Sequence, residues 1–267
     1  MEIYFSGEKL YGDDFNLDDI KSWYNDEAEG YYHLSKNTNN SIPSYGYHVV
    51  NGAYAFKYLK NKKFVTALGF GAAYGKEFEP IIDKIEKLYI IDASKSMHSS
   101  NIGSLKPIYE MSNVNGSINF SNNTFDLITC LGVLHHIPNV SFVLSELYRV
   151  LKPNGIFILR EPIVSMGDWR LPRKGLTVRE RGIPIKLLDN ALHTLGFSTI
   201  KRSFLFTSMS FANRMIGRHL KKPLYEYKLY VYFDKMLSFF LASNNHYHPQ
   251  NIIQKIAPAS VYYVLTK

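Results

Sequence analysis

Cysteine is nearly absent: Cys130 is the only one in 267 residues. An internal disulfide framework and a cysteine-based zinc site are therefore excluded. Long apolar runs are missing as well. The greasiest stretch, residues 237–242, is far shorter than the ~20 residues of a membrane span. The opening residues MEIYFSGEKL lack the basic region and apolar block of a secretory signal, so a cytoplasmic protein is expected. Neither an internal repeat nor a low-complexity segment is present. What remains is a globular balance, 46% hydrophobic and 20% charged, long enough for one large α/β domain or two small ones.

The formal charge is +8, and its distribution is uneven. Residues 1–30 carry nine acids against two bases, whereas residues 151–235 carry sixteen Lys/Arg against six Asp/Glu. A basic patch of that size favours anionic partners, or is simply a solvated surface.

Residues 1–60 read as a tyrosine-rich helical cap. Leu17, Ile20, Trp23, Tyr24, Ala28 and Tyr31 recur at helical spacing behind a cap at Asn16. Residues 36–44 read as a loop, and 47–59 as a second helical piece. From residue 63 the rhythm changes. Strands at 63–68, 87–92, 125–131 and 156–159 alternate with helices at 77–87 and 140–151, which argues for a parallel sheet with helices on both faces. A helix at 183–195 and strands at 197–206 and 260–266 complete a core expected over 61–207 and 258–267. The insert between, 208–257, is rich in aromatics such as Phe211, Tyr225, Tyr230 and Phe239. It reads as a cap or interface, with a membrane-surface role as a further option because Arg214, Arg218, Lys221 and Lys222 adjoin them.

In a doubly wound sheet, ligands bind where strands end. Three features fall there. Gly69, Phe70 and Gly71 open a glycine turn that lets backbone approach a ligand. Asp92 ends the next strand, a spacing suited to a carboxylate that accepts ribose hydroxyls. After the strand at 125–131 comes the turn GVLHHIP.

With the runs FDL, LHHIP and ELYRVLKPNG in residues 125–161, the sequence resembles the small-molecule members of the class I S-adenosylmethionine-dependent methyltransferases. Gly69 and Gly71 match the family's glycine loop, and Asp92 its ribose-binding acid. The resemblance implies a Rossmann-like seven-stranded sheet with an antiparallel last strand at 260–266. It implies S-adenosyl-L-methionine as cofactor, S-adenosyl-L-homocysteine as product, and a cofactor site of Gly69, Phe70, Gly71, Asp92, Ala93, Asn115 and Leu131. Asn115 stands near the family's adenine-binding acid. Ala67 replaces an acid of the glycine loop and Ala73 its third glycine. These departures keep open a non-catalytic binding or scaffold protein that retains the fold and has lost cofactor use.

Methyl transfer needs in-line positioning and, for a hydroxyl acceptor, a base. His136 and His135 at the ligand edge suit that role, with Glu161 as a further candidate and His33, His246 and His248 as more distant ones. No His/Asp/Glu set has convincing metal-ligand spacing, so no metal is expected. Arginine forks at Arg160, Arg170, Arg179 and Arg181 suit a carboxylate or phosphate, or else order the loop by internal salt bridges. The expected function is methyl transfer to a hydroxyl, less readily an amine, of a small polar acceptor. A phosphorylated or nucleotide-linked sugar of cell-surface glycan synthesis is the first choice, and nucleic acid is not expected.

Overall fold

The computed structural model describes residues 1–35, 45–94, 97–171, 173 and 175–267, with backbone alone for 28–35, 210, 211, 213, 214 and 218. The loop expected at 36–44 lies outside the described residues, as do the side chains of Tyr31, His33, Phe211, Arg214 and Arg218. The strands are β1 (Phe64–Phe70), β2 (Ile85–Asp92), β3 (Ile108–Met111), β4 (Phe125–Leu131), β5 (Leu151–Pro162), β6 (Ser198–Leu205) and β7 (Ser260–Thr266). They form one sheet in the order β3-β2-β1-β4-β5-β7-β6. Every pairing from β3 to β5 is parallel, and β7 runs antiparallel to both β5 and β6. This is the Rossmann-like arrangement of the class I methyltransferases, and it brings the carboxyl ends of β1, β2, β4 and β5 to one edge.

The helices are α1 (Glu2–Phe5), α2 (Leu17–Ser35), α3 (His48–Tyr54), α4 (Val140–Val150), α5 (Ile185–Thr194), α6 (Met209–Ile216), α7 (Lys228–Phe240) and α8 (Ile252–Lys255). Strand side chains alternate between two cores. Leu68, Phe70, Ile128, Cys130 and Phe157 pack with residues of α4 and α5. Ala67, Leu88, Ile90, Leu127 and Ile158 pack with residues of α3 on the other face. Asn16 caps α2, its side-chain oxygen accepting the N–H groups of Asp18 and Asp19.

Several boundaries differ from expectation. The helix expected at 77–87 is a 3-10 helix, Lys76–Lys84, and the chain is already in β2 at Ile85. Pro80 inside it cannot donate to a regular α ladder. The piece at 47–59 divides into α3 and a 3-10 turn, Phe56–Leu59. β5 is twelve residues long because it pairs with β4 and β7 on either side. β3 has no counterpart in the sequence reading. It is a four-residue edge strand, mostly exposed, and lacks an apolar signature.

The segment before β7 holds α6, α7 and α8. α7 buries Val231, Asp234 and Ser238, and Asp234 accepts the N–H groups of Phe206 and Ser208 after β6. Its outer side exposes Leu229, Phe239 and Phe240. Among the described residues no helix is long and apolar enough to cross a membrane.

Candidate active site

The turn after β1 carries the first half of the site. Gly71 has φ +66°, and a Cβ there would lie 2.5 Å from Val133 Cγ1, so only glycine fits. Ala73, which replaces a glycine, also takes a left-handed conformation at φ 47°. Its N–H donates to Asp92 Oδ2 at 2.9 Å, and the N–H of Ser94 donates to Oδ1 at 3.0 Å. Each carboxylate oxygen thus holds one backbone donor, and an ionised carboxylate has about four lone-pair sites. Acceptor capacity is left for two further hydroxyls.

A cavity of about 500 Å³ opens at this edge. Phe70, Gly71, Ala73, Asp92 and Ala93 line one side, Val114, Gly116 and Ser117 another, and Gly132, Val133, His136, Ile137 and Pro138 a third. Trp23, Tyr24 and Glu27 of α2 close over it. Its size and its mix of apolar walls with a few placed polar groups suit a nucleoside-bearing ligand.

The histidine turn is held from below by Glu161. This carboxylate is fully buried. Its Oε1 accepts the N–H groups of Val133 at 2.9 Å and Leu134 at 2.8 Å. Its Oε2 accepts the His135 N–H at 3.3 Å and meets His135 Nδ1 at 2.8 Å. With its oxygens committed and no exposure, Glu161 is a framework group and not the base considered from sequence. His135 is enclosed too. Its Nε2 lies 3.5 Å from Glu180. Burial alone would lower the His135 pKa, but its bonds to Glu161 and Glu180 and their charges outweigh it and raise it to about 9. Burial likewise works against ionised Glu180, yet the bond to His135 and the charges of both histidines hold Glu180 down at about 2. Two carboxylates thus favour the protonated form of His135, and both its ring nitrogens face them, so it is not placed to act as a base.

His136 is different. It lines the cavity, and its Nδ1 meets Glu27 Oε2 at 2.9 Å. Glu27 is buried, and its other oxygen accepts the Thr177 hydroxyl at 2.7 Å. Trp23 Nε1 donates to the His136 carbonyl at 2.8 Å. Glu27 lies 109 residues from His136; sequence reasoning missed it, and no local motif marks it.

The fold also brings donor atoms of His135, His136 and Glu180 within 4.8 Å of one another, a grouping that spacing along the chain did not reveal. Both ring nitrogens of His135 already face carboxylates.

The arginines divide. Arg181 is fully buried and donates to the carbonyls of Tyr11, Leu134, His135, Ile137 and Pro138. Arg179 pairs with Asp26 and Arg170 with Asp168. These three hold the N-terminal segment, the histidine turn and their own loop, so the internal-bridging reading applies to them and they are not placed on a ligand. Arg160 is buried beside Gly132 and donates to the Leu131 carbonyl at 3.2 Å.

Three residues expected at the cofactor lie off the cavity wall. Leu131 is a core residue of β4, and its neighbour Gly132 lines the space instead. Gly69 faces Ala72 and Phe78. Asn115 turns its side-chain oxygen onto Ser117, leaving Val114 and Gly116 on the wall. His248 bonds Ser165 and is not on the wall.

Two outcomes follow for stability. The folded His135 holds its proton more tightly than an unfolded histidine. Its contribution is complete below about pH 6.5 and is lost as pH rises through about 9. Melting temperature should fall across that window in the wild type and fall less in His135→Gln; identical pH profiles contradict this. Arg181→Met strands several carbonyls, so urea unfolding should show a loss of about 3 kcal/mol or more. A loss under about 1 kcal/mol contradicts the stapling role.

Comparison with known proteins agrees with this geometry. Residues 68–159 match the family model described as "Methyltransferase domain". A tRNA U34 carboxymethyltransferase of Helicobacter pylori is 32% identical over 119 residues, 43% of this chain and 38% of the relative. The chain thus spans well under half the length of the curated relatives it matches. A phosphoethanolamine N-methyltransferase 2 of Haemonchus contortus, solved with phosphomonomethylethanolamine and S-adenosylhomocysteine, superposes with a TM-score of 0.55 at 16% identity. The match covers 95% of this chain and 60% of that one. An S-adenosylmethionine-dependent methyltransferase from Archaeoglobus fulgidus gives 0.53 at 13% identity over 82% and 92% of the two chains. Residues 68–159 thus match a methyltransferase domain, and the sheet that contains them has the fold of the solved methyltransferases.

Proposed function

We propose that the protein transfers a methyl group from S-adenosylmethionine to a hydroxyl of a small polar acceptor, with His136 as the base. The observation that carries this reading is a shared wall. Asp92, with acceptor capacity left over, and His136, oriented by Glu27, line the same cavity. S-adenosylmethionine supplies a methyl carbon on a sulfonium, whose thioether is a good leaving group. Asp92 accepts the two ribose hydroxyls, and Gly71 lets the chain approach without a clashing Cβ. Attack by the acceptor oxygen forms the C–O bond as the C–S bond breaks. The acceptor's proton passes to His136, and Glu27 keeps the ring in the tautomer and orientation that receive it.

A sugar-type or phosphorylated acceptor of glycan synthesis remains the favoured class. Trp23 and Tyr24 close over the cavity and limit what enters. The arginine segment spends Arg179 and Arg181 inward, which favours a small acceptor over the tRNA named for the curated relatives. The left-handed Ala73, with its N–H on Asp92, keeps the loop shape that a glycine would give. That favours a working cofactor site over the scaffold alternative.

Calorimetric titration with S-adenosylhomocysteine tests the cofactor half. Asp92→Ala removes two charge-assisted hydrogen bonds and should weaken binding about 100-fold or more; unchanged affinity refutes the assignment. With an acceptor found by screening sugars and sugar phosphates, His136→Ala should lower turnover about 10²- to 10⁴-fold while product affinity stays within a few-fold. Glu27→Gln should lower turnover in the same direction by less. Full turnover in His136→Ala removes it from the mechanism.

A further inference from the structure

Arg160 is a buried cation that no carboxylate of the described residues contacts directly, Glu77 acting on it only at a distance. It is 8% exposed, yet among the described residues no carboxylate forms an ion pair with it. Its Nη2 reaches one carbonyl, that of Leu131, and its Nη1 has no hydrogen-bond partner among the described residues. Three other arginines of the chain are provided for. Arg170 and Arg179 have carboxylates, and Arg181 has five carbonyls. Taking a guanidinium out of water without an anion or a full set of acceptors is costly, and such a group persists where something else completes it.

Its place in the fold says what that is. Arg160 stands near the carboxyl end of β5, in register with Leu131 of β4. Its Nη2 lies 3.5 Å from where a Cβ on Gly132 would stand, and Gly132 lines the cofactor cavity. The guanidinium lies over the Tyr47 ring at 4.2 Å, and Tyr225 stacks on Tyr47 at 4.4 Å. The carboxyl that acts on Arg160, Glu77, is itself buried and bonded to Thr129. The planar fork is thus stacked, desolvated and one backbone layer from the cavity, the setting in which arginine takes a carboxylate or phosphate bidentately.

We propose that Arg160 is an anion socket at the edge of the cofactor cavity, filled by the carboxylate or phosphate group of a bound small molecule. The inference rests on the cavity being the cofactor site. Two bound species can supply that group: the amino-acid end of the cofactor or an anionic acceptor.

The test compares wild type, Arg160→Met and Arg160→Lys by calorimetry and thermal shift. The probes are S-adenosylhomocysteine, 5′-methylthioadenosine (the same thioether without the amino-acid end) and inorganic phosphate. If the cofactor fills the socket, Arg160→Met weakens S-adenosylhomocysteine at least tenfold and leaves 5′-methylthioadenosine unchanged. If the acceptor fills it, S-adenosylhomocysteine affinity holds, and phosphate raises the melting temperature of the S-adenosylhomocysteine-bound wild type but not of Arg160→Met. In both cases Arg160→Lys keeps part of the anion response. The socket is refuted if neither ligand response depends on residue 160, or if both variants lose many degrees of melting temperature. Wild type that binds no S-adenosylhomocysteine instead refutes the cofactor reading, and a phosphate titration of the ligand-free wild type and Arg160→Met then tests the socket by itself.

Discussion

The buried carboxylate of Glu161 sets the shape of the edge on which the site depends. It gathers the N–H groups of Val133, Leu134 and His135 and one nitrogen of the His135 ring. A turn with three converging donors under it would otherwise bury unpaired polar groups, each costing about 1–3 kcal/mol. From above, Arg181 takes the carbonyls of the same turn. Donors and acceptors of one short segment are thus satisfied by two opposite charges, one from β5 and one from the loop after it. His136 emerges from this fixed turn toward the cavity, and the precision of its placement comes from groups that never meet a ligand.

The other control comes from the N-terminus. α2 supplies Trp23 to the His136 carbonyl and Glu27 to its ring. Arg179 ties Asp26 of the same helix to the loop after β5. One acid of residues 1–30 and one base of residues 151–235 thus pair across the fold.

Much of the fold was legible in the sequence because strand periodicity and strand ends are local. β4 and β7 begin and end where the apolar blocks do, and Asp92 and Gly71 lie on the cavity wall at two of the ends so identified. The misses have physical causes. β4 ends at Leu131, which packs into the core, and the turn residue after it, Gly132, is the one on the wall, so the ligand edge begins one residue beyond the strand. Asn115 was placed by counting to a family position, and its side chain is used within its own turn. Arg179 and Arg181 carry the residue type that binds anions, but nothing local says that Asp26 and the turn carbonyls wait for them. Glu27 and Thr177 come together across 150 residues. Only the fold makes them neighbours.

The central claim is that Gly71 and Asp92 hold the adenosine of a methyl donor whose reactive end points toward His136. A crystal structure with S-adenosylhomocysteine tests it most directly. The account predicts both ribose hydroxyls on the Asp92 carboxylate, the chain of the ligand over Gly71, and its sulfur toward the Gly132–His136 turn. Ligand density elsewhere, with solvent between Gly71 and Asp92, contradicts it.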